Sequence, residues 1–363
     1  MGNISEIDRN LAVSGKVNDT EARFFNVRSE PFSIYGLLLN EGDRFRRIPT
    51  AVAKQVSPGV RNLHGNTAGG RVRFRTDSSF VAIRAVLPDY GLMSHMPFLG
   101  SSGFDLYEDE GEISHYRGSF LPPLDRKESY ESILWLGQQK SRSVTIHFPL
   151  YDHVSELYVG LEPGATLEYG EPYRDLAPIL YYGSSITQGG CASRPGNCYS
   201  NIISRNLNID HRNLGFAGNC KGEQAMAEYI TAQRMSLFFL DYDWNAPTPE
   251  HLQSTHEPFF LKVREKQPDL PIVMASRTDI PWEPSRQVDT LRRKEIVLRT
   301  YENAVKRGDR RVYFIDGSAV FQEAKKLGVS PDSCTVDGTH PNDLGFACMA
   351  GVFGNIIKDL LIK

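Results

Sequence analysis

A serine in a short polar turn is the first residue of this sequence whose neighbourhood suggests chemistry. The apolar run 179–182 stops at Gly183-Ser184-Ser185, and a helical pattern of apolar residues begins near Tyr199. A strand, a tight turn and a helix hold one side chain at the carboxyl edge of a parallel sheet, where α/β proteins place their reactive groups. Ser185 is therefore a candidate nucleophile, provided that the chain also supplies a base and donors for an oxyanion.

The segment Asp337-Gly338-Thr339-His340-Pro341 offers the base. A carboxylate three residues before a histidine, across a glycine turn, can reach back to the ring Nδ1, which fixes the tautomer and leaves Nε2 for the serine. The proline suits the first turn of a helix that anchors the pair. The other interpretation of this segment is a surface turn with a solvated histidine.

Two further segments follow predicted strands and can supply oxyanion donors. Gly218 lies in a turn where glycine lets a bare backbone N–H approach a ligand. Asn245 follows another strand and carries a side-chain amide. We expect these two groups and the backbone N–H of Ser185 to hold the negative oxygen of a tetrahedral intermediate. The sequence has no metal-ligand spacing, and this chemistry predicts no cofactor.

The elements that position these groups alternate between strand and helix. Buried strands are predicted at 179–182, 212–216, 237–240, 272–275 and 312–315. Helices are predicted at 200–207, 222–232, 258–265, 291–306 and 344–361. This alternation predicts a three-layer α/β/α domain with a parallel sheet covered on both faces. The charged run Arg292 to Glu295 is interpreted as the solvated face of a helix.

The first half of the chain has a different texture. Short strand-like runs from about Phe32 to Glu168 are separated by Gly, Pro, Asp and Ser, and Arg71-Val72-Arg73-Phe74-Arg75 alternates as a half-buried strand does. We predict a β-sandwich of jelly-roll type over residues 1–170, with a short N-terminal arm and without a long amphipathic helix. Residues 164–178 form the predicted junction, and the α/β domain takes 175–363.

Composition limits the classes of function. The 363 residues favour two domains, and a net charge of -3 gives no electrostatic case for nucleic acid or an anionic membrane. Apolar runs fall short of the roughly 20 residues needed to span a bilayer. The polar N-terminus predicts a cytoplasmic protein unless a leader was removed. Five scattered cysteines are expected to be free thiols, with a Cys191–Cys198 disulfide as the alternative.

The four chemistry-bearing segments together resemble the signature blocks of the SGNH, or GDSL-like, hydrolase family. Residues 183–187 resemble the first block, Gly-Asp-Ser-φ-Thr, with Ser185 in the place of the family nucleophile. Gly218 and Asn245 match the second-block glycine and the third-block asparagine, and residues 337–341 match the fifth block, Asp-X-X-His-Pro. The resemblance spans about 179–361, and the sandwich in front is similar to that of two-domain carbohydrate esterases.

Two positions depart from the family pattern. Ser184 stands where the first block usually has aspartate, so we expect different hydrogen bonds around an unchanged nucleophile. Asp243 stands where the third block often has glycine, so we expect the loop that carries Asn245 to be shaped differently.

The resemblance implies a serine esterase with Ser185, His340 and Asp337 as its triad. The expected substrate is a small molecule or an oligosaccharide in which a sugar carries a short-chain acyl ester, and acetyl is the acyl group expected first. Trp244, Trp282 and Arg277 are candidate substrate contacts, with ordinary packing, or pairing of Arg277 with Asp279, as the alternatives.

Four other functions stay open from the sequence. The same catalytic groups would serve a thioesterase or a lysophospholipase. A carbohydrate-binding protein with an inactive hydrolase domain belongs to another class. A phosphatase that uses Asp241, Asp243 and Asp279 as metal ligands is the most distant alternative.

Overall fold

Two antiparallel sheets and one parallel sheet contain the strands in the described part of the chain. A computed structural model describes residues 13–39, 42, 44–89, 91–125, 128–278 and 284–362. The chain divides into two units. The first runs up to Arg47 and includes Gly65–Arg174 and Ser193–Gly196. The second consists of Ile48–His64, Asp175–Ala192 and the chain from Asn197 onwards.

The first unit is a β-sandwich. One sheet has the order β1-β2-β10-β5-β8, with β1 Val13–Val17, β2 Thr20–Asn26, β5 Phe80–Val86, β8 Ser129–Trp135 and β10 Glu156–Leu161. The other has the order β11-β4-β9-β6-β7, with β3 also paired to β4; these strands are β3 Ser33–Tyr35, β4 Arg71–Thr76, β6 Phe104–Glu110, β7 Ile113–Phe120, β9 Arg142–His147 and β11 Leu167–Glu168. A core of alternate apolar residues from both sheets, including Ile83, Val159, Phe74 and Leu106, lies within this unit.

The outer face of the second sheet is covered rather than solvated. Arg71 and Arg73 on β4 are 0% and 3% exposed, whereas the alternating pattern predicted a half-buried strand. The guanidinium of Arg73 pairs with Asp109 at 3.1 Å and lies 4.3 Å from the ring centre of Tyr173. Ion pairing and contact with an aromatic face let this arginine be buried, and the period-two pattern carries no information about that cover.

The second unit is a three-layer α/β/α domain. Its five strands are parallel in the order β13-β12-β14-β15-β16, with β12 Ile179–Gly183, β13 His211–Gly215, β14 Leu237–Asp241, β15 Ile272–Ala275 and β16 Val312–Ile315. Its α-helices are α1 Thr50–Val56, α2 Pro58–Leu63, α4 Ser185–Gln188, α5 Tyr199–Leu207, α6 Gln224–Thr231, α7 Pro249–Lys266, α8 Pro284–Lys306 and α9 Asp343–Leu361; α3, Phe98–Ser102, belongs to the sandwich. Short 3-10 helices occur at Pro195–Asn197, Gly317–Leu327 and Pro331–Cys334.

The strand order places the chemistry. The chain leaves β12 toward β13 on one side and then returns to β14 on the other, so the order reverses at β12. In open α/β sheets a crevice forms outside the carboxyl ends of the strands at this switch point. Ser185 follows β12 directly.

Two segments cross the predicted division of the chain at 170–175. Residues 48–64, predicted as part of the sandwich, form α1 and α2 of the second unit, because Ile48, Ala53 and Val60 are buried in its core. Residues 193–196, predicted as part of the α/β domain, belong to the first unit, where Asp105 accepts hydrogen bonds from Arg194 Nη1 at 3.3 Å and Gly196 N at 2.8 Å.

Helix α9 is long and apolar enough, by length and composition alone, to cross a membrane. It packs instead within the second unit: Phe346, Met349, Phe353 and Ile357 are among its buried residues, and its neighbour is α5. A helix that is buried along one side in this way is typical of the core of an α/β domain.

Candidate active site

The turn after β12 brings Ser185 to the start of α4. Ser184 caps this helix, because its Oγ accepts a hydrogen bond from the N–H of Ile186 at 3.1 Å. Gly183 is required by space, since a Cβ there would lie 2.0 Å from Thr187 Oγ1 and 2.4 Å from the carbonyl oxygen of Asp241. The serine in place of the usual aspartate thus takes over the cap and leaves Ser185 at the first helical position.

The three residues predicted as a triad lie together. Ser185 Oγ is 3.0 Å from His340 Nε2, and His340 Nδ1 is 2.8 Å from Asp337 Oδ2. Asp337 Oδ1 accepts the backbone N–H of Thr339 at 3.0 Å and of His340 at 2.8 Å. Gly338, with φ at 81°, takes the left-handed conformation that closes this loop. Asp337 therefore holds both the loop and the ring.

The carboxyl of Asp337 stays ionised to low pH. Burial alone would raise its pKa, but hydrogen bonds from the backbone and ring of His340, the charge of that ring and the N–H of Thr339 lower it below its ordinary value. An ionised acceptor at Nδ1 keeps the proton on that nitrogen and leaves Nε2 as the atom that faces Ser185.

The carbonyl group of Phe216 joins the loop that carries Gly218 to the side chain of Asn245. Phe216 O accepts the backbone N–H of Asn219 at 2.8 Å and Nδ2 of Asn245 at 3.0 Å. An amide nitrogen carries two hydrogens, so this bond orients Asn245 and leaves its second N–H for another acceptor. Gly218 has φ at 68°, and a Cβ there would meet no heavy atom within 4 Å, so its conformation and not a lack of space favours glycine.

Buried side chains support this arrangement, and the sequence reasoning missed them. Gln188 Oε1 accepts the N–H of Ala217 at 3.0 Å, which ties the end of α4 to the loop of Gly218. Asn213 donates to the carbonyl oxygen of Thr187 at 2.6 Å and accepts the N–H of Gly215 at 2.9 Å. The available signal was an amide side chain inside the predicted buried strand 212–216 and another in the turn after 179–182, because a buried amide needs hydrogen-bond partners.

A buried carboxyl lies beneath the nucleophile turn. Asp241 Oδ2 accepts hydrogen bonds from Thr187 Oγ1 at 3.2 Å and Tyr199 OH at 3.4 Å. Burial raises its pKa well above the ordinary value, and the nearby charge of Asp243 adds to the rise. Asp241, the first carboxylate of the phosphatase alternative, is thus hydrogen-bonded to two hydroxyl groups. Asp243, the second, makes the contacts given in the next paragraph. Asp279, the third, lies outside the described residues.

The departure at Asp243 has a defined role. Its Oδ2 accepts the backbone N–H of Arg277 at 2.9 Å. The guanidinium of Arg277 reaches Asp289 Oδ2 at 3.2 Å and lies 4.2 Å from the ring centre of Trp244. Arg277 is only 6% exposed, and Asp289 and Trp244 are among the described residues that surround its charge; Asp279, its predicted partner, lies outside the described residues.

Trp244 and Arg277 therefore lie together beside Asn245, packed on each other. Trp282, the third predicted substrate contact, lies outside the described residues. The triad loop has one further support, because Arg286 Nη2 on α8 donates to Thr339 Oγ1 at 2.8 Å.

All five cysteines are free and buried. Cys191 lies near the triad in the second unit, and it adopts a left-handed conformation with φ at 74°. Burial, followed by the charge of Asp337, raises the pKa of its thiol to about 12. A thiol with so high a pKa is a poor nucleophile.

Sequence profiles of known families match both halves of the chain. The profile of the GDSL-like lipase/acylhydrolase family matches residues 177–358, which is half of the chain. A second profile, described as the N-terminus of SGNH-hydrolase-type esterases, matches residues 22–167. Among curated proteins no sequence matches.

Solved structures match almost the whole chain. A protein from Bacteroides ovatus named as a GDSL-like lipase is 28% identical with a TM-score of 0.84, covering 94% of this chain and 98% of that one. A salicylyl-acyltransferase from a tetracycline biosynthetic pathway is 22% identical with a TM-score of 0.74, covering 94% and 98%. An acetyl xylan esterase from Butyrivibrio proteoclasticus is 13% identical with a TM-score of 0.56, covering 94% and 98%. The last two similarities are similarities of fold.

Proposed function

The chain belongs to the GDSL-like lipase/acylhydrolase family, and we propose that it is a serine esterase that removes short acyl groups, acetyl first, from carbohydrates. One observation carries the proposal: Ser185 Oγ, His340 and Asp337 form a continuous chain of hydrogen bonds of 3.0 Å and 2.8 Å. A hydroxyl within reach of a base whose other nitrogen is bound to a carboxylate is the arrangement of an activated nucleophile.

Acylation follows from this geometry. Ser185 Oγ attacks the ester carbonyl carbon while His340 Nε2 removes the hydroxyl proton, and Asp337 stabilises the imidazolium that forms. The oxyanion receives hydrogen bonds from the N–H groups of Ser185 and Gly218 and from Asn245 Nδ2. His340 then protonates the leaving alcohol as the carbon–oxygen bond breaks, which leaves an acyl-enzyme.

Deacylation repeats the steps with water. His340 removes a proton from water, the hydroxide adds to the acyl carbon, and the same donors hold the second oxyanion. Ser185 leaves with the proton from His340, so the acid is released and the enzyme returns to its starting state. A donor aimed at the oxyanion contributes about 3 kcal/mol to transition-state stabilisation, so the three donors account for much of the rate.

Two observations support the carbohydrate part of the proposal. The fold is shared with an acetyl xylan esterase over 94% of the chain, and Trp244 lies directly beside Asn245. Aromatic side chains beside a reactive centre offer a face to a sugar ring. The fold is also shared with an acyltransferase over 94% of the chain, so the test of hydrolysis is the release of free acetate and not the transfer of the acyl group to another molecule.

The test compares the wild type with Ser185→Ala on acetylated xylo-oligosaccharides, with acetate release as the measurement. We expect the variant to lose activity by at least about a thousandfold, as is usual when a serine nucleophile is removed. Equal release by both proteins would contradict the nucleophile assignment. A fluorophosphonate probe should label the wild type and not the variant, and a wild type that resists labelling would favour a binding protein with an inactive domain.

A series of p-nitrophenyl esters from acetyl to palmitoyl separates the remaining acylhydrolases. We expect kcat/KM to fall as the acyl chain lengthens. A maximum at long chains would favour a lysophospholipase, and faster turnover of acyl thioesters would favour a thioesterase.

A further inference from the structure

Arg293 is a charged residue buried in the second unit. It lies on α8 and is only 5% exposed, although its sequence neighbourhood predicted a solvated helix face. The side chain of Arg292, one residue earlier, is 49% exposed and pairs with Glu250. A buried guanidinium is costly unless its hydrogen bonds are satisfied, so its partners indicate what it does.

Those partners bracket the predicted oxyanion donor. Arg293 Nη1 donates to the carbonyl oxygens of Asp243 at 2.8 Å and Ala246 at 2.9 Å. These two carbonyl groups flank the dipeptide Trp244-Asn245. A single guanidinium nitrogen therefore fixes the backbone immediately before and after the two residues of the loop.

A second pair of charges holds Arg293 in place. Its Nε donates to Asp289 Oδ2 at 2.8 Å, and the same oxygen accepts Arg277 Nη1 at 3.2 Å. Arg277 N in turn donates to Asp243 Oδ2 at 2.9 Å. Two arginines and two aspartates thus form one network that begins on two backbone carbonyl groups of the loop and ends on the side-chain carboxylate of Asp243.

The position of Asn245 depends on that backbone. Its N–H donates to the carbonyl oxygen of Tyr242 at 2.9 Å, and its Nδ2 donates to Phe216 O at 3.0 Å. The carboxylate of Asp243 connects the network to the loop at a second place, beside the hydrogen bonds from Arg293.

We infer that Arg293 is a positioning residue for catalysis: through the carbonyl groups of Asp243 and Ala246 it sets where Asn245 meets the oxyanion. The inference rests on the proposed function, in which Asn245 is an oxyanion donor. A donor aimed at charge that develops in the transition state raises kcat and leaves substrate binding almost unchanged. Loss of Arg293 should therefore lower kcat and leave KM near its wild-type value.

The experiment is a double-mutant cycle between Arg293→Met and Asn245→Ala, with p-nitrophenyl acetate as substrate. Asn245→Ala removes the donor and should lower kcat by roughly 10²- to 10³-fold. Arg293→Met misplaces the donor, and because a shift of about 1 Å can cost up to roughly a hundredfold, we expect a fall of about tenfold in kcat with KM within about twofold. In the Asn245→Ala background the same change should lower kcat by less than about twofold.

Arg292→Met is the matched control, because it removes the neighbouring arginine from the exposed face of the same helix. It should keep kcat within about twofold of the wild type. Arg293→Lys keeps the charge but has one nitrogen for three partners, so it should fall between Arg293→Met and the wild type. If Arg293→Met does not fold, Arg293→Lys carries the cycle, with the unfolding midpoint of each variant measured alongside.

Two results would overturn the inference. One is an equal loss of kcat from the Arg293 change with and without Asn245, since this would place the effect outside Asn245. The other is a rise in KM with kcat preserved, which would indicate a role in substrate binding. Ser185→Ala is measured in parallel. Full activity of that variant would contradict the proposed nucleophile. It would not contradict the role of Arg293, because every variant in the double-mutant cycle retains Ser185.

Discussion

Asp337 has two tasks that two substitutions separate. Its Oδ1 accepts the backbone N–H groups of Thr339 and His340, and its Oδ2 accepts the proton on His340 Nδ1 at 2.8 Å. Asp337→Asn keeps an oxygen for the backbone but turns an NH2 group toward the ring. His340 Nδ1 must then accept a hydrogen bond from that NH2 group, so the ring proton moves to Nε2. A protonated Nε2 has no lone pair to receive the proton of Ser185. Asp337→Ala removes both contacts and leaves the tautomer free.

The expected losses follow from these contacts. A carboxylate and an imidazolium about 4 Å apart attract each other by about 4 kcal/mol at an effective dielectric constant of 20. The side chain of Asp337 is 41% exposed, so we halve this to about 2 kcal/mol for screening by solvent. The wrong tautomer in Asp337→Asn adds about 1 kcal/mol, the net value of one hydrogen bond. At 1.36 kcal/mol for each factor of ten, kcat falls about 150-fold in Asp337→Asn and about 30-fold in Asp337→Ala.

The order of the two variants is the decisive result. We expect Asp337→Asn to be the slower enzyme on p-nitrophenyl acetate and yet the more stable protein in urea, because its oxygen still closes the loop at Gly338. A slower Asp337→Ala, or two variants with wild-type kcat, would show that Asp337 does not set the tautomer of His340. The comparison uses initial rates across pH 6–9, measured under conditions in which the same fraction of each variant is folded.

Three further substitutions test the surroundings of the site. Gly218→Ala should lower the free energy of unfolding by about 1 kcal/mol through its positive φ, while its N–H keeps kcat above that of Asn245→Ala; urea titration and initial rates check both. The raised pKa of Asp241 means that its favourable contribution is present below the unfolded-state pKa and is lost as pH rises. Asp241→Asn should therefore be more stable than the wild type at pH 7, with the gap closing toward pH 4, and a gap that widens in acid would contradict this. Burial, opposed by the charge of Glu257, lowers the pKa of His256 to about 3, so its contribution is present above the unfolded-state pKa and is lost as pH falls toward 3. His256→Gln should remove up to about 1.36 kcal/mol per pH unit from the slope of stability between about pH 6 and pH 3, and an unchanged slope would refute the assignment.

Local chemistry made the α/β domain readable from the sequence. Four of the five strands described in this domain are short apolar runs, whereas β13, His211–Gly215, is mostly polar, and the bounds predicted for β15 and β16 match the structure. Helix ends were less readable. The helix predicted at 258–265 begins at Pro249, because Thr248 caps it through the N–H of His251, and Pro258 lies inside it. The spacing of apolar residues at a period of 3.6 identifies neither the residue that caps a helix nor a proline that lies inside it.

The positions of Ser185, Gly218, Asn245 and the Asp337–His340 loop were also readable, because each follows a strand or opens a helix. Parallel strands bring their carboxyl ends to one edge, so residues far apart in the chain were expected at one site. The Ser185–His340 distance of 3.0 Å is consistent with that expectation. Of the predicted substrate contacts, Arg277 and Trp244 pack on each other, and their contact with substrate stays a prediction.

Only the tertiary structure decided which charged side chains are buried. In the sequence, Arg293 belongs to a charged run and Arg71 and Arg73 alternate with apolar residues, and both patterns are typical of a solvated face. In the structure these side chains are buried. Arg293 donates hydrogen bonds to Asp289 and to two backbone carbonyl groups, and Arg73 forms an ion pair with Asp109. Periodicity reports which side of an element a residue lies on, whereas the burial of a charge depends on partners supplied by other elements. The sequence therefore determined which groups stand at the sheet edge, and the packing of distant elements determined what holds them there.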